Sequence, residues 1–400
     1  MQEASKSVLQ KNQKEIYYFI TYGLCFVALG LGTASLGPLL PTLAETTMTS
    51  LAQISFLFTA TSLGYLVGSA GGGRLYDRIN GHKLMIVALG LMVIINVLIP
   101  VMPIFYLLLV AMFVTGLGSG AVDIGGNVNL LWVFESRVGP YMNGMHFCFG
   151  LGAFLSPMLI HNVMKLADGA LTWPYWVLAV SCIPGIIGLW LLKAPENPER
   201  DHDSKNSEKS NILLVGLMLI LFSLYVAVEG GFGGWIFTYA TEVNVASGTA
   251  ASYMNSVFWG ALTLGRLLSV YLAKKITPSK LLIGNFSLAI LFLGLILIWP
   301  ASRTIVWLVS IGLGFSLSSV FPTLMALAET RMKVTGSVTS MFFLGVSLGG
   351  IFMPMILGQI FDYIGSYYIM VALFTTACLG LVVLGSVLLV SKRVGEKKRL

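Results

Sequence analysis

Three ionisable side chains stand well inside long apolar runs of this 400-residue chain: Asp123, Glu229 and Arg266. A charge at mid-bilayer costs about 2.5–3.5 kcal/mol on insertion scales, so such a residue faces a bundle interior or a water-filled cavity and marks function. Asp123 and Asn127 are four apart and share one helical face. Gly116 and Gly120 lie on the same face and are expected to leave room beside the carboxylate. A carboxylate next to an amide suits a proton or a small hard cation, which prefers oxygen ligands. The cost of a bare charge there ties protonation to occupancy of the site. The alternative is a hydrogen-bond anchor between helices that never titrates.

Asp123, Asn127 and Glu229 form the candidate cation-coupling set. Glu229 is followed by Gly230, Gly231, Gly233 and Gly234, a pattern expected to break the helix and expose backbone groups to a cavity. Trp235 adds an aromatic platform, so this segment offers a polyhydroxylated ligand both an acceptor and an apolar face. Asn255, Trp259 and Arg266 follow i, i+4, i+11, nearly one stripe. Arg266, about six residues from the end of its span, is expected to snorkel or to gate. His146, Phe149, Gly150, Ala153 and Pro157 share a further face, where His146 suits a proton relay or a hydroxyl partner. The candidate ligand-binding set is therefore Asn127, His146, Phe149, Glu229, Trp235, Asn255, Trp259, Phe315 and Ser319, with Ser318 beside the last. Asn285 and Gln359 are expected to be packing polars. His82, His146, His161 and His202 are scattered, and Cys25, Cys148, Cys182 and Cys378 lie in apolar segments. Neither set has metal-ligand spacing, so neither a metal nor a bound cofactor is expected.

The elements that position these residues follow from composition. The chain is 56% hydrophobic and 10% charged, with mean hydropathy +0.85. Soluble domains are about 45–50% apolar and 25% charged, which excludes a water-soluble protein. Apolar runs of spanning length fall near 17–40, 51–75, 83–101, 104–133, 141–163 and 173–192. A second set falls near 212–240, 250–272, 281–299, 304–328, 338–360 and 367–390. The expectation is an all-α membrane protein of 12 transmembrane helices: a bundle over 1–192, a polar linker over 193–210 and a bundle over 211–400. The first run is too long for a signal-peptide core. With both termini inside, 21 of 24 Lys and Arg fall on the cytoplasmic side and only Lys165 and Arg303 outside. That asymmetry sets both termini in the cytoplasm. The basic residues sit in loops between spans, which accounts for the pI of about 9.1 without nucleic acid.

The halves repeat at an offset of 197, which carries Gly68 to Gly265, Lys83 to Lys280, Gly152 to Gly349 and Pro157 to Pro354. One shift that aligns loop basics, packing glycines and helix prolines indicates a duplicated six-helix unit. Parallel repeats of this kind carry a substrate site near the midplane.

After the second span comes Gly-Gly-Arg-Leu-Tyr-Asp-Arg-Ile-Asn-Gly-His-Lys (72–83), which resembles the loop 2–3 signature of the major facilitator superfamily. The resemblance covers nearly the whole chain and implies its fold, with a gating latch at Gly72, Asp77 and Arg78 and Arg266 as a further gating residue. The second half has Lys274 where Asp77 stands, so the latch is expected to be asymmetric. The segment 116–129, with Asp123 followed by Asn127, is similar to the fourth helix of the fucose–galactose–glucose:proton symporter family. Segments 140–154 and 225–236 resemble the sodium-dependent glucose transporter-like branch.

These resemblances imply a secondary transporter, not an enzyme. It would carry a hexose-like monosaccharide with a proton or sodium ion, by rocking of two halves about a central site. Its expected setting is a lipid bilayer, the bacterial inner membrane, as a monomer. The other transporter reading is a proton-coupled exporter of an amphipathic drug or lipid-like solute, disfavoured by Asn127, Asn129 and Asn255 inside spans and by Met112 where many antiporters carry Arg. A Walker A motif is missing, which argues against ATP hydrolysis.

Overall fold

The computed structural model describes residues 2–76, 78–195, 212–332 and 334–397. Before the linker the helices are α1 (Gln2–Thr47), α2 (Leu51–Ile54), α3 (Phe56–Tyr76), α4 (Gly81–Leu98), α5 (Phe105–Phe134), α6 (Val138–Leu166) and α7 (Thr172–Leu191). After it come α8 (Ile212–Glu242), α9 (Gly248–Leu272), α10 (Pro278–Ile298), α11 (Arg303–Leu317), α12 (Val320–Arg331), α13 (Gly336–Tyr363) and α14 (Tyr367–Lys397). There is no strand among the described residues. In hydrocarbon every backbone polar group must be satisfied within the chain, and helices do this. Ten runs are long and apolar enough to cross a membrane; one of them, Phe105–Leu166, holds α5 and α6 in succession. Helix α9 is 25 residues long but is not among the ten, because Asn255, Arg266 and its hydroxyl residues dilute its apolarity. Large side chains such as Val110, Val382 and Leu389 are exposed, as suits a lipid-facing surface.

The chain divides into two compact units, Met1–Leu36 with Ala60–Asp201 and Gly37–Thr59 with His202–Leu400. The tip 37–59, which the sequence places in the first half, thus belongs to the second unit. Most of the expected polar linker lies outside the described residues.

In the first unit α4 packs on α5 and α7 around a core that includes Tyr22, Phe26, Tyr76, Met85 and Phe134. Where helices pack closely in a membrane, small residues let backbones approach and dispersion supplies the attraction. Helices α1 and α6 meet at Gly30, which faces the Phe149 carbonyl, and at Gly152, which faces the Val27 carbonyl. Ser156 completes this contact by donating to the Leu31 carbonyl at 2.6 Å. His82, at the start of α4, is buried. Its Nδ1 lies 3.2 and 3.1 Å from the Leu189 and Leu192 carbonyls, which only accept, so Nδ1 carries the hydrogen and Nε2 accepts from Tyr22 at 2.8 Å. That pair ties α1 and α4 to the end of α7.

In the second unit α8 packs on α13, and α9 on α11. Gly345 and Gly349 of α13 face the Leu219 and Ser223 carbonyls of α8. Gly152 and Gly349, one repeat apart, therefore both sit where the fifth helix of a half meets its first. The fifth helices also end alike: Gly169 (φ +83°) donates to the Met164 carbonyl and Gly365 (φ +128°) to the Ile360 carbonyl, each at 2.9 Å. These are left-handed caps that glycine adopts without a Cβ penalty.

The tip 37–59 docks onto α13 through polar contacts. The Ala52 N–H donates to Asp362 Oδ2 at 2.8 Å, Gln359 donates to the Ala52 carbonyl at 3.2 Å, and Thr59 donates to the Ile351 carbonyl at 2.8 Å. Gln359 is a packing polar, as expected, and so is Asn285, which donates to Ser319 Oγ at 2.7 Å. The tenth span is interrupted at Ser318 and Ser319, between α11 and α12.

Candidate functional site

The first unit builds a polar centre from α3 and α5. Four glycines seat these helices against each other: Gly64 faces the Phe113 carbonyl, Gly68 that of Leu117, Gly116 that of Thr61 and Gly120 that of Tyr65. The space expected beside the carboxylate at Gly116 and Gly120 is therefore filled by the α3 backbone. The close approach delivers Tyr65, whose hydroxyl donates to Asp123 Oδ2. Asn127, one turn on, donates to Asp123 Oδ1 at 3.0 Å and to the Asp123 carbonyl at 2.8 Å. The i, i+4 pairing read from sequence is thus made. A Cβ branch at position 120 would strike the Tyr65 carbonyl, and overpacking of this kind costs about 1–3 kcal/mol. Gly120→Val is expected to lower the unfolding midpoint in detergent and to weaken transport, because it pries Tyr65 from Asp123.

The second unit builds its own centre from α8 and α9. Tyr225, one turn before Glu229, donates to Glu229 Oε2, while Arg266 Nη2 lies 3.9 Å from Glu229 Oε1. Arg266 reaches back to α8, where an opposite charge compensates it. Its stripe-mates turn the same way: Asn255 donates to the Gly233 carbonyl at 3.0 Å, and the Trp259 ring covers Gly233. The expected break after Glu229 does not occur, since α8 runs unbroken from Ile212 to Glu242. Its glycines are used for contact instead. Gly231 admits Leu357 and Leu373, Gly233 admits Trp259, and Gly234 admits Phe58.

The remaining candidates are more dispersed. Trp235 is fully buried against Phe361, with ring centroids 5.7 Å apart. Trp259 is 7% exposed and Asn255 fully buried. The indole N–H groups of Trp235 and Trp259, the Asn255 Oδ1 and the Thr238 hydroxyl are buried side-chain atoms without a hydrogen-bond partner. His146 sets its ring edge-on to Phe26, at 5.6 Å and 84°. Phe149 packs partly buried beside α1, Phe315 is 41% exposed, and Ser319 is engaged by Asn285. Of the latch, Gly72 is buried against Ala121, Arg78 is exposed, and Asp77 lies outside the described residues. Tyr65 and Tyr225 were missed from sequence. Tyr225 had a signal, its i, i+4 spacing to Glu229; Tyr65, on another helix from Asp123, had none.

Residues 22–354 match the family model of the Major Facilitator Superfamily. The chain is 27% identical over 363 residues to Sodium-dependent glucose transporter 1 of Xenopus laevis, covering 82% of this chain and 73% of that protein. It is 27% identical over 370 residues to the Homo sapiens protein of the same name, covering 83% and 71%. Major facilitator superfamily domain-containing protein 4A of Pongo abelii is 23% identical over 459 residues, covering 90% and 89%. Among solved structures, a crystal structure of a variant of the nucleoside transporter NupG shares the fold, with TM-score 0.76 at 12% identity over 94% of this chain and 99% of that one. A helical chain of membrane-spanning length that matches this model over most of its residues is an integral, multi-pass membrane transporter, and it belongs to the major facilitator superfamily.

Proposed function

We propose that the protein carries a hexose-like monosaccharide by cation-coupled symport, through alternating access, with Asp123 as the coupling carboxylate. The observation that carries this reading is the Tyr65–Asp123–Asn127 centre, an acid held inside a span by two donors. Such a group is costly to keep in hydrocarbon and is retained for function. The similarity to glucose transporters supports the sugar as cargo. Glu229 takes a different part. Paired with Arg266, it serves as a fixed, charged acceptor for sugar hydroxyls, with Asn255 and Trp259 on the facing helix. His146, Phe149, Trp235, Phe315 and Ser319 remain proposed contacts for states in which the helices rearrange. The distribution of Lys and Arg supports a reading with both termini on the cytoplasmic side, and the short outer loops support a bacterial inner membrane as the setting.

The test is accumulation. Purified protein in vesicles should concentrate labelled D-glucose when a proton or sodium gradient is imposed and should only equilibrate it when none is. Equal uptake with and without any gradient would leave a uniporter. No uptake or exchange of any hexose would refute the sugar reading.

A further inference from the structure

We infer that Tyr65 is the positioning residue of Asp123, a hydroxyl that reverses its hydrogen bond as the carboxylate takes up a proton, and that this centre carries a proton and not sodium. This rests on the reading of Asp123 as the coupling group.

The orientation of Asn127 decides the matter. Its Nδ2 lies 2.8 Å from the Asp123 carbonyl and 3.0 Å from Asp123 Oδ1, and both atoms are acceptors. The amide must therefore present its NH2. Turning it to bring Oδ1 inward would set oxygen against two oxygens and strand the amide hydrogens elsewhere. With Tyr65 donating to Oδ2, each carboxylate oxygen accepts a hydrogen bond from a side-chain donor. Hydrogen bonds to a charged acceptor are about twice as strong as neutral ones, so these two donors favour the carboxylate form. Sodium needs several oxygen lone pairs converging on it, whereas this centre converges hydrogens.

A proton demands much less rearrangement. It arrives from water and bonds to Oδ2. The new O–H donates to the Tyr65 oxygen, whose own hydrogen rotates away, while Asn127 continues to donate to Oδ1. Release is the reverse, with the proton returning to water and no bond of Tyr65 broken. A tyrosine hydroxyl both donates and accepts, so it satisfies the acid in either state; a phenylalanine could do neither.

Other neighbours meet α5 at its glycines and at the Ala121 carbonyl. From α4, Met85, Ala88 and Met92 meet Gly125 and Gly118, and from α1, Phe26 meets Gly126. Tyr76 of α3 donates instead to the Ala121 carbonyl at 2.9 Å. His82 of α4 is engaged by Tyr22 and α7, and His146 of α6 lies edge-on to Phe26.

The experiment is infrared titration of the full-length protein in lipid, following the carboxylic C=O stretch with and without saturating sodium, and using no sugar. The expected result is a protonated-acid band that disappears in Asp123→Asn and whose midpoint sodium leaves unchanged. In Tyr65→Phe the midpoint moves by about one to two pH units, since a charge-assisted hydrogen bond is worth about 1.5–3 kcal/mol. A wild-type unfolding midpoint of Tyr65→Phe in detergent would show that the fold is intact. A midpoint that sodium displaces, or an unshifted midpoint in Tyr65→Phe, would overturn the inference. Normal titration with no hexose exchange would support the inference and refute the sugar reading instead.

Discussion

Asp123→Asn vesicles are expected to exchange labelled glucose for unlabelled glucose at near wild-type rate, yet never to concentrate it. Asparagine is nearly isosteric with aspartate and can still accept from Tyr65 at its oxygen, so the α3–α5 contact survives. What it loses is the ability to take up and release a cation. With one proton per sugar, a gradient of one pH unit can sustain about tenfold accumulation, because 1.4 kcal/mol is a factor of ten in an equilibrium. The wild type should approach that ratio and the variant should stay at about onefold, since no free energy reaches the sugar without the coupled ion. Counterflow checks folding and binding in the same vesicles. If Asp123→Asn still accumulates sugar under the gradient, coupling resides elsewhere, and Glu229 becomes the first alternative.

The second large effect concerns Glu229 and Arg266. At 3.9 Å the pair is a compensated charge, not a tight bidentate bridge, and both side chains are partly buried. Removing one partner of a buried pair strands the other, at a cost of about 3–5 kcal/mol, while removing both is far milder. Arg266→Met should therefore lower the unfolding midpoint in detergent sharply, and Arg266→Met with Glu229→Gln should recover most of the loss. Transport should not recover, because the double variant lacks the charged acceptor assigned to the sugar hydroxyls. A double variant as unstable as the single one would show that the guanidinium is held by packing and not by Glu229. A fully active double variant would remove Glu229 from the binding site.

Much of this was legible before any coordinates. Helix positions followed from apolar runs, and the duplication from one constant offset that placed Gly152 and Gly349 at equivalent helix contacts. The Asp123–Asn127 pair was legible because its geometry is local, fixed by 3.6 residues per turn. What stayed hidden depends on which helix faces which. Tyr65 reaches Asp123 only because Gly64, Gly68, Gly116 and Gly120 seat α3 on α5, and those glycines read equally well as room for a ligand. The glycines after Glu229 have the same ambiguity: four of them can break a helix or admit neighbours, and here Trp259, Phe58 and Leu357 fill the space. Arg266 looked free to snorkel because its partner is 37 positions away, on α8. The assignment of 37–59 to the second unit was out of reach for a similar reason, since it depends on Asp362 and Gln359, more than 300 residues on.

The claim on which the rest depends is that sugar and cation cross together, with the cation carried at Asp123. The most direct measurement is the current evoked when D-glucose is jumped onto vesicles holding the purified protein, with no ion gradient imposed. A transient inward positive charge movement that needs hexose and vanishes in Asp123→Asn, while counterflow persists, is the expected result. A current of equal size in Asp123→Asn, or glucose entry with no charge movement in the wild type, would contradict it.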